Sequence, residues 1–91
     1  SKLLNFDKEK YNSTDILNSK EKAEMFAKQI AILQFPKHEQ VINKYECETI
    51  EDKTSRMWLV KVKLAEKGFD TVFTILVLKN NCKIIFQTNY F

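Results

Sequence analysis

The chain has 91 residues and a formal charge of +3, with 44% hydrophobic and 30% charged residues. That suffices for one domain with a modest core, burying roughly 60–65% of the unfolded surface, and is too little for two domains or a deep catalytic cavity. One glycine and one proline exclude collagen-like and linker-type chains, and a lone glycine excludes a glycine-rich phosphate loop.

Residues 1–17 carry Leu3, Leu4, Phe6, Tyr11, Ile16 and Leu17 among polar neighbours and are predicted to form a short helix or a wrapped arm. The main helix is expected over 18–35. Asn18 followed by Glu21 reads as an N-cap with a box-like partner. Ala23, Phe26, Ala27, Ile30 and Leu33 fall on one face. Lys20, Glu24 and Lys28 lie opposite, and Pro36 stops the helix near Gln34. Beyond Pro36 the period becomes two. Strands are predicted at 44–51, 57–64, 71–79 and 82–90, within a sheet spanning 44–90. Their links are short, so neighbours must be antiparallel. Asn80 and Asn81 read as a two-residue type I′ turn. The expected architecture is a single α+β domain over 1–91, with an N-terminal helix packed on one face of a four-stranded antiparallel meander.

Link lengths fix a register. The last hairpin should pair Val77 with Ile84 and Ile75 with Phe86. The central one should pair Leu64 with Thr71, Val62 with Phe73 and Val60 with Ile75. The first should pair Glu48 with Lys61 and Glu46 with Lys63. One face then collects Tyr45, Cys47, Trp58, Val60, Val62, Leu64, Phe73, Ile75, Val77, Ile84 and Phe86, the side for the helix. The reverse face carries Glu46, Glu48, Lys61, Lys63, Thr74, Lys83 and Gln87. It is crossed by an apolar row of Ile50, Leu59, Leu76 and Ile85, with Met57 and Leu78 beyond. A fully solvated face rarely lines up that much apolar surface.

The chemistry-bearing residues are sparse. The eight lysines and six acids of residues 1–45 balance much as the seven cations and six acids of 46–91 do. Nucleic-acid binders cluster their cations, so no nucleic acid is expected. Cys47, Cys82 and the lone His38 cannot make a four-ligand zinc site, and no metal or cofactor is expected. The meander separates the two cysteines by three strand spacings, about 14 Å, so they should be free thiols, Cys47 buried and Cys82 beside the turn. No apolar run reaches 18 residues, so no membrane span is expected. A first residue Ser1 suits either a trimmed chain or a removed leader, which leaves cytoplasm and periplasm both open. His38 reads as a solvated loop residue without a nucleophile or orienting acid. Glu46 and Glu48 read as a ladder neutralised by Lys61 and Lys63 rather than an acid–base pair. Trp58 reads as core. No catalytic residue is assigned, and the chain is expected not to be an enzyme.

From residue 18 to 91, the opening NSKEKAEMFAKQIA helix, the single Trp in MWLVKVKL and the closing TVFTILVLKNNCKIIF hairpin resemble the cystatin-like and NTF2-like α+β folds. Within these, the stretch looks like the small NTF2-fold immunity proteins of bacterial toxin systems. It departs from them at the last turn, where such domains often carry Asp-Gly. The Gln-Val-Val-Ala-Gly loop of cystatin protease inhibitors has no counterpart. The resemblance implies a non-enzymatic protein that neutralises a cognate toxin by binding it. The residues assigned to the partner are Ile50, Leu59, Lys61, Lys63, Leu76, Lys83, Ile85 and Gln87, an apolar centre with a polar rim. Two other readings stand beside it: a small-ligand-binding NTF2-like domain, and a homodimer formed through the reverse face or an edge strand.

Overall fold

The computed structural model describes residues 15–63 and 70–91. The fold is α+β. Helix α1 (Lys20–Gln34) precedes a 3-10 turn (Pro36–His38) and a one-turn helix α2 (Glu39–Ile42). Strands β1 (Glu46–Asp52), β2 (Met57–Lys63), β3 (Thr71–Leu78) and β4 (Ile84–Asn89) follow. They form one antiparallel sheet in the order β1-β2-β3-β4. Residues 1–14 of the arm expected at 1–17, Leu64 and the Gly68 link lie outside the described residues.

The core forms where period-two sequence meets an alanine stripe. On β2 and β3, Trp58, Val60, Val62, Phe73, Ile75 and Val77 are buried. Ala23, Ala27 and Ala31, one helical turn apart and fully buried, carry α1 over β1, β2 and β3. Small side chains let the helix backbone sit close, and Ile32 joins the same cluster. Phe26 and Ile30 flank it. Leu33, expected on the buried face, is instead 76% exposed. The stripe is therefore set by close approach rather than by the largest side chains. The N-cap is Ser19, not Asn18: its hydroxyl accepts from the Lys22 amide. Pro36 ends α1 as expected, but residues 39–42 then make a helical turn that buries Ile42 completely.

The register of β1 on β2 is as derived, with Glu48 opposite Lys61 and Glu46 opposite Lys63. The centre of β2 on β3 agrees too: Val60 faces Ile75 and Val62 faces Phe73. Beyond that pair the register slips, so Thr71 faces Lys63 and not Leu64. A second slip lies in the last hairpin. Val77 faces Ile84, yet Leu76 faces Phe86 and Ile75 faces Gln87. One extra residue on β4, Ile85, has been inserted as a bulge. The insertion inverts everything after it. Phe86 leaves the helix side for the reverse face, and Gln87 turns under the helix, where it exchanges side-chain hydrogen bonds with Gln34. The turn itself is longer than two residues. The Cys82 amide bonds the Leu78 carbonyl, the Leu78 amide bonds the Lys83 carbonyl, and the positive φ (60°) falls on Cys82 rather than on either asparagine. Asn81 contributes its side-chain oxygen, which accepts from the Lys83 amide.

The segment before α1 is fastened to the sheet at one point. Leu17 is buried, its amide bonds the Lys79 carbonyl, and its carbonyl accepts the Trp58 indole N–H at 2.8 Å. Lys79, 7% exposed, packs its ammonium over the Trp58 ring and pairs with Glu51. Asp15 pairs with Arg56 at the same end. Trp58→Phe keeps an aromatic side chain, though a smaller one, and strands the buried Leu17 carbonyl. A buried unsatisfied acceptor costs about 1–3 kcal/mol, so a loss of that order is expected in urea unfolding, with the native circular dichroism unchanged.

Candidate protein-binding face

The face away from α1 is built by the strand registers alone. Alternation turns Glu46, Glu48, Ile50 and Asp52 of β1 outward, together with Met57, Leu59, Lys61 and Lys63 of β2. Lined up across the strands, Ile50, Leu59, Leu76 and Phe86 form one unbroken apolar row. Ile50 and Phe86 at its ends are 48% and 50% exposed, and Ile85 in the bulge is 46% exposed. Next to it on one side run Glu48, Lys61, Thr74 and Thr88, followed by Glu46 and Lys63. On the other side lie Asp52, Met57 and Leu78, closing on the exposed Lys83.

Of the residues expected here, Ile50, Leu59, Lys61, Lys63 and Leu76 share this face. Lys83 stands at the turn, bonded through its backbone to Leu78. Ile85 occupies the bulge rather than the row, and Gln87 is displaced to the helix side by the same bulge. Phe86 takes the place in the row that the alternation gave to Ile85. Ile84, Ile85 and Phe86 are three consecutive apolar residues, so their polarity alone does not say which of them faces the helix. Glu51 also leaves the acidic cluster suggested by sequence proximity, since it faces the helix side and is held by Lys79.

Among the described residues, one ion pair joins charges beside the row. Lys63 bridges diagonally to Glu48, whose directly opposed partner is Lys61. The hydrogen bond from Lys63, then its charge, then that of Lys61 hold the Glu48 carboxyl below its ordinary value. On the helix side of β1, burial pushes the Cys47 thiol up; Lys28 and Lys20 pull down and Glu24 pushes up, with burial the largest effect. Burial also raises Cys82. Both cysteines are free and half-buried, so Cys47 is less enclosed than expected. Thr49 donates to Glu24 and closes that side against α1. His38 is exposed and stacks on Phe91, which also packs on Phe35 at 4.7 Å. Among the described residues, no buried side-chain nitrogen or oxygen lacks a partner, and no group of three or more His, Cys, Asp and Glu could hold a metal. No helix among them is long and apolar enough to cross a membrane.

The Glu48 shift has a sign that can be checked. A carboxyl with a depressed folded-state pKa stabilises the fold above its unfolded value, near pH 4.3. That contribution disappears as pH falls through the folded value. NMR titration should place Glu48 below the ordinary glutamate range, and Lys63→Gln should move it back toward that range. A titration point that ignores Lys63→Gln would show the pairing to be without effect.

No family model matches the chain, and neither does any curated protein or solved structure.

Proposed function

We propose that this chain is a non-enzymatic protein-binding module of the immunity or inhibitor kind, neutralising a cognate bacterial toxin by binding it through the reverse face of the sheet. The observation that carries the reading is the unbroken row Ile50, Leu59, Leu76 and Phe86, part-exposed and bordered on both sides by polar and charged residues. An apolar centre with a polar rim is how protein interfaces are organised. A single aromatic or aliphatic side chain at the centre of such a patch commonly dominates the affinity. Each border carries both signs, Glu48 with Lys61 on one and Asp52 with Lys83 on the other, so the rim selects a partner by matched charge rather than by net charge. The likeness of the helix and the closing hairpin to NTF2-fold immunity proteins points the same way, although a shared fold is a weaker warrant than a site.

The test uses the chain as bait for proteins of its own organism, in two forms. Wild type should retain one partner, and Leu76→Asp, which buries a charge at the centre of the row, should lose it by at least about 30-fold, the scale of a hot-spot residue. The variant should keep the wild-type circular dichroism, because Leu76 lies outside the helix-side core. The captured protein should arrest growth when expressed alone and be harmless when co-expressed with wild type. Equal retention by Leu76→Asp, or toxicity unrelieved by co-expression, would overturn the proposal.

A further inference from the structure

The sheet has two edges, and they are built differently. Edge strand β1 carries Glu46, Glu48, Glu51 and Asp52 within seven residues, a density of like charge that discourages another strand from pairing. Edge strand β4 carries no charge, and the whole run from Ile84 to Phe91, IIFQTNYF, has no charged side chain, proline or glycine. That composition does not repel a further strand by charge, and the bulge at Ile85 lies outside the Gln87–Asn89 stretch.

The backbone of β4 is also presented for pairing. The Tyr90 amide bonds inward to the Val72 carbonyl. Antiparallel ladders alternate, so the backbone groups of Thr88 and Phe86 point inward as well, while those of Gln87 and Asn89 point away from β3. Among the described residues β4 is the last strand of the sheet. The helix lies over the other three strands and meets β4 through the Gln34–Gln87 side-chain bonds; among the described residues no further backbone hydrogen bond is made by Gln87 or Asn89.

We propose that β4 is a self-pairing edge: two copies of this chain join antiparallel, β4 to β4, into one continuous eight-stranded sheet. A two-fold axis through Thr88 sets Gln87 of one copy against Asn89 of the other, and both pairs exchange N–H and C=O. A strand without charge is compatible with itself in a way that β1, with its four carboxylates, is not. This makes a second copy the occupant rather than a basic or acidic peptide, for which β4 offers no complementary charge. With the axis at Thr88, Phe86 of each copy comes opposite Tyr90 of the other, so the two apolar rows stay offset along the seam. The pairing leaves Leu59 and Leu76 open, so it neither requires nor blocks the partner site proposed above.

Sedimentation equilibrium on the full chain tests this. Wild type should reach twice the 10.8 kDa chain mass at tens of micromolar. Asn89→Pro removes an outward donor while leaving the bonds to β3, and Thr88→Lys sets two like charges together at the axis. Each should weaken association at least tenfold with unchanged circular dichroism. Leu76→Asp should remain dimeric, which separates this proposal from the partner site. The amides of Gln87 and Asn89 should exchange slowly with solvent in wild type and quickly in Thr88→Lys. A wild type that stays monomeric throughout would overturn the proposal. So would a dimer that survives both edge variants, or one lost only in Leu76→Asp.

Discussion

Trp58, Val60 and Val62 on β2 and Phe73, Ile75 and Val77 on β3 are buried together against the alanine stripe of α1, and this packing sets the phase of the whole sheet. In a strand the side-chain period is two, so fixing one face fixes the other. Once those six residues are under the helix, Leu59 and Leu76 have nowhere to go but the reverse side. The exposed apolar row is therefore a consequence of the core. Fully burying a large aliphatic or aromatic side chain contributes roughly 1.5–3 kcal/mol. A slip of one residue in β2 or β3 would forfeit several such contributions at once, and no ion pair on the surface could compensate for that.

The polar contacts on the helix side act on this packing as fasteners. Trp58 is held by the Leu17 carbonyl, covered by Lys79, and Lys79 is in turn neutralised by Glu51. A lysine this enclosed is costly unless paired, and removing one partner of such a pair does more harm than the pair does good. Gln34 and Gln87 satisfy one another at the end of the helix that approaches β4. The reverse face has fewer such devices. Lys63 pairs with Glu48 on its border, and the row is left uncovered by any described element.

The central part of this structure was legible in the sequence for definite reasons. Over ECE in β1 and VKVK in β2, charged and apolar residues alternate where the two strands meet, so cross-strand charge and face assignment point to one register. The errors occur where that redundancy fails. IIF offers three apolar residues in a row, which fits either phase of β4, and the bulge at Ile85 decides between them. Helical spacing places Ala23 and Ala27 on the buried face of α1, as found, but that face turns toward Ala31 and Ile32 and leaves Leu33 exposed, because the sheet selects alanines that permit close approach. Residues 39–42 are too short for a helical period to be visible, so the burial of Ile42 left no signal. Lys79 is buried through Glu51, a partner 28 positions away, and no local pattern announces that.

The phase of β4 is the point on which the two faces depend, and it can be read directly from interproton distances. A NOESY spectrum of the isotope-labelled chain should connect the Phe86 ring to Leu76 and Leu59, and the Gln87 side-chain amide to Gln34. Contacts from the Phe86 ring to Ala27 or Ile30 of α1, with Gln87 in solvent, would contradict the bulge and remove Phe86 from the exposed row.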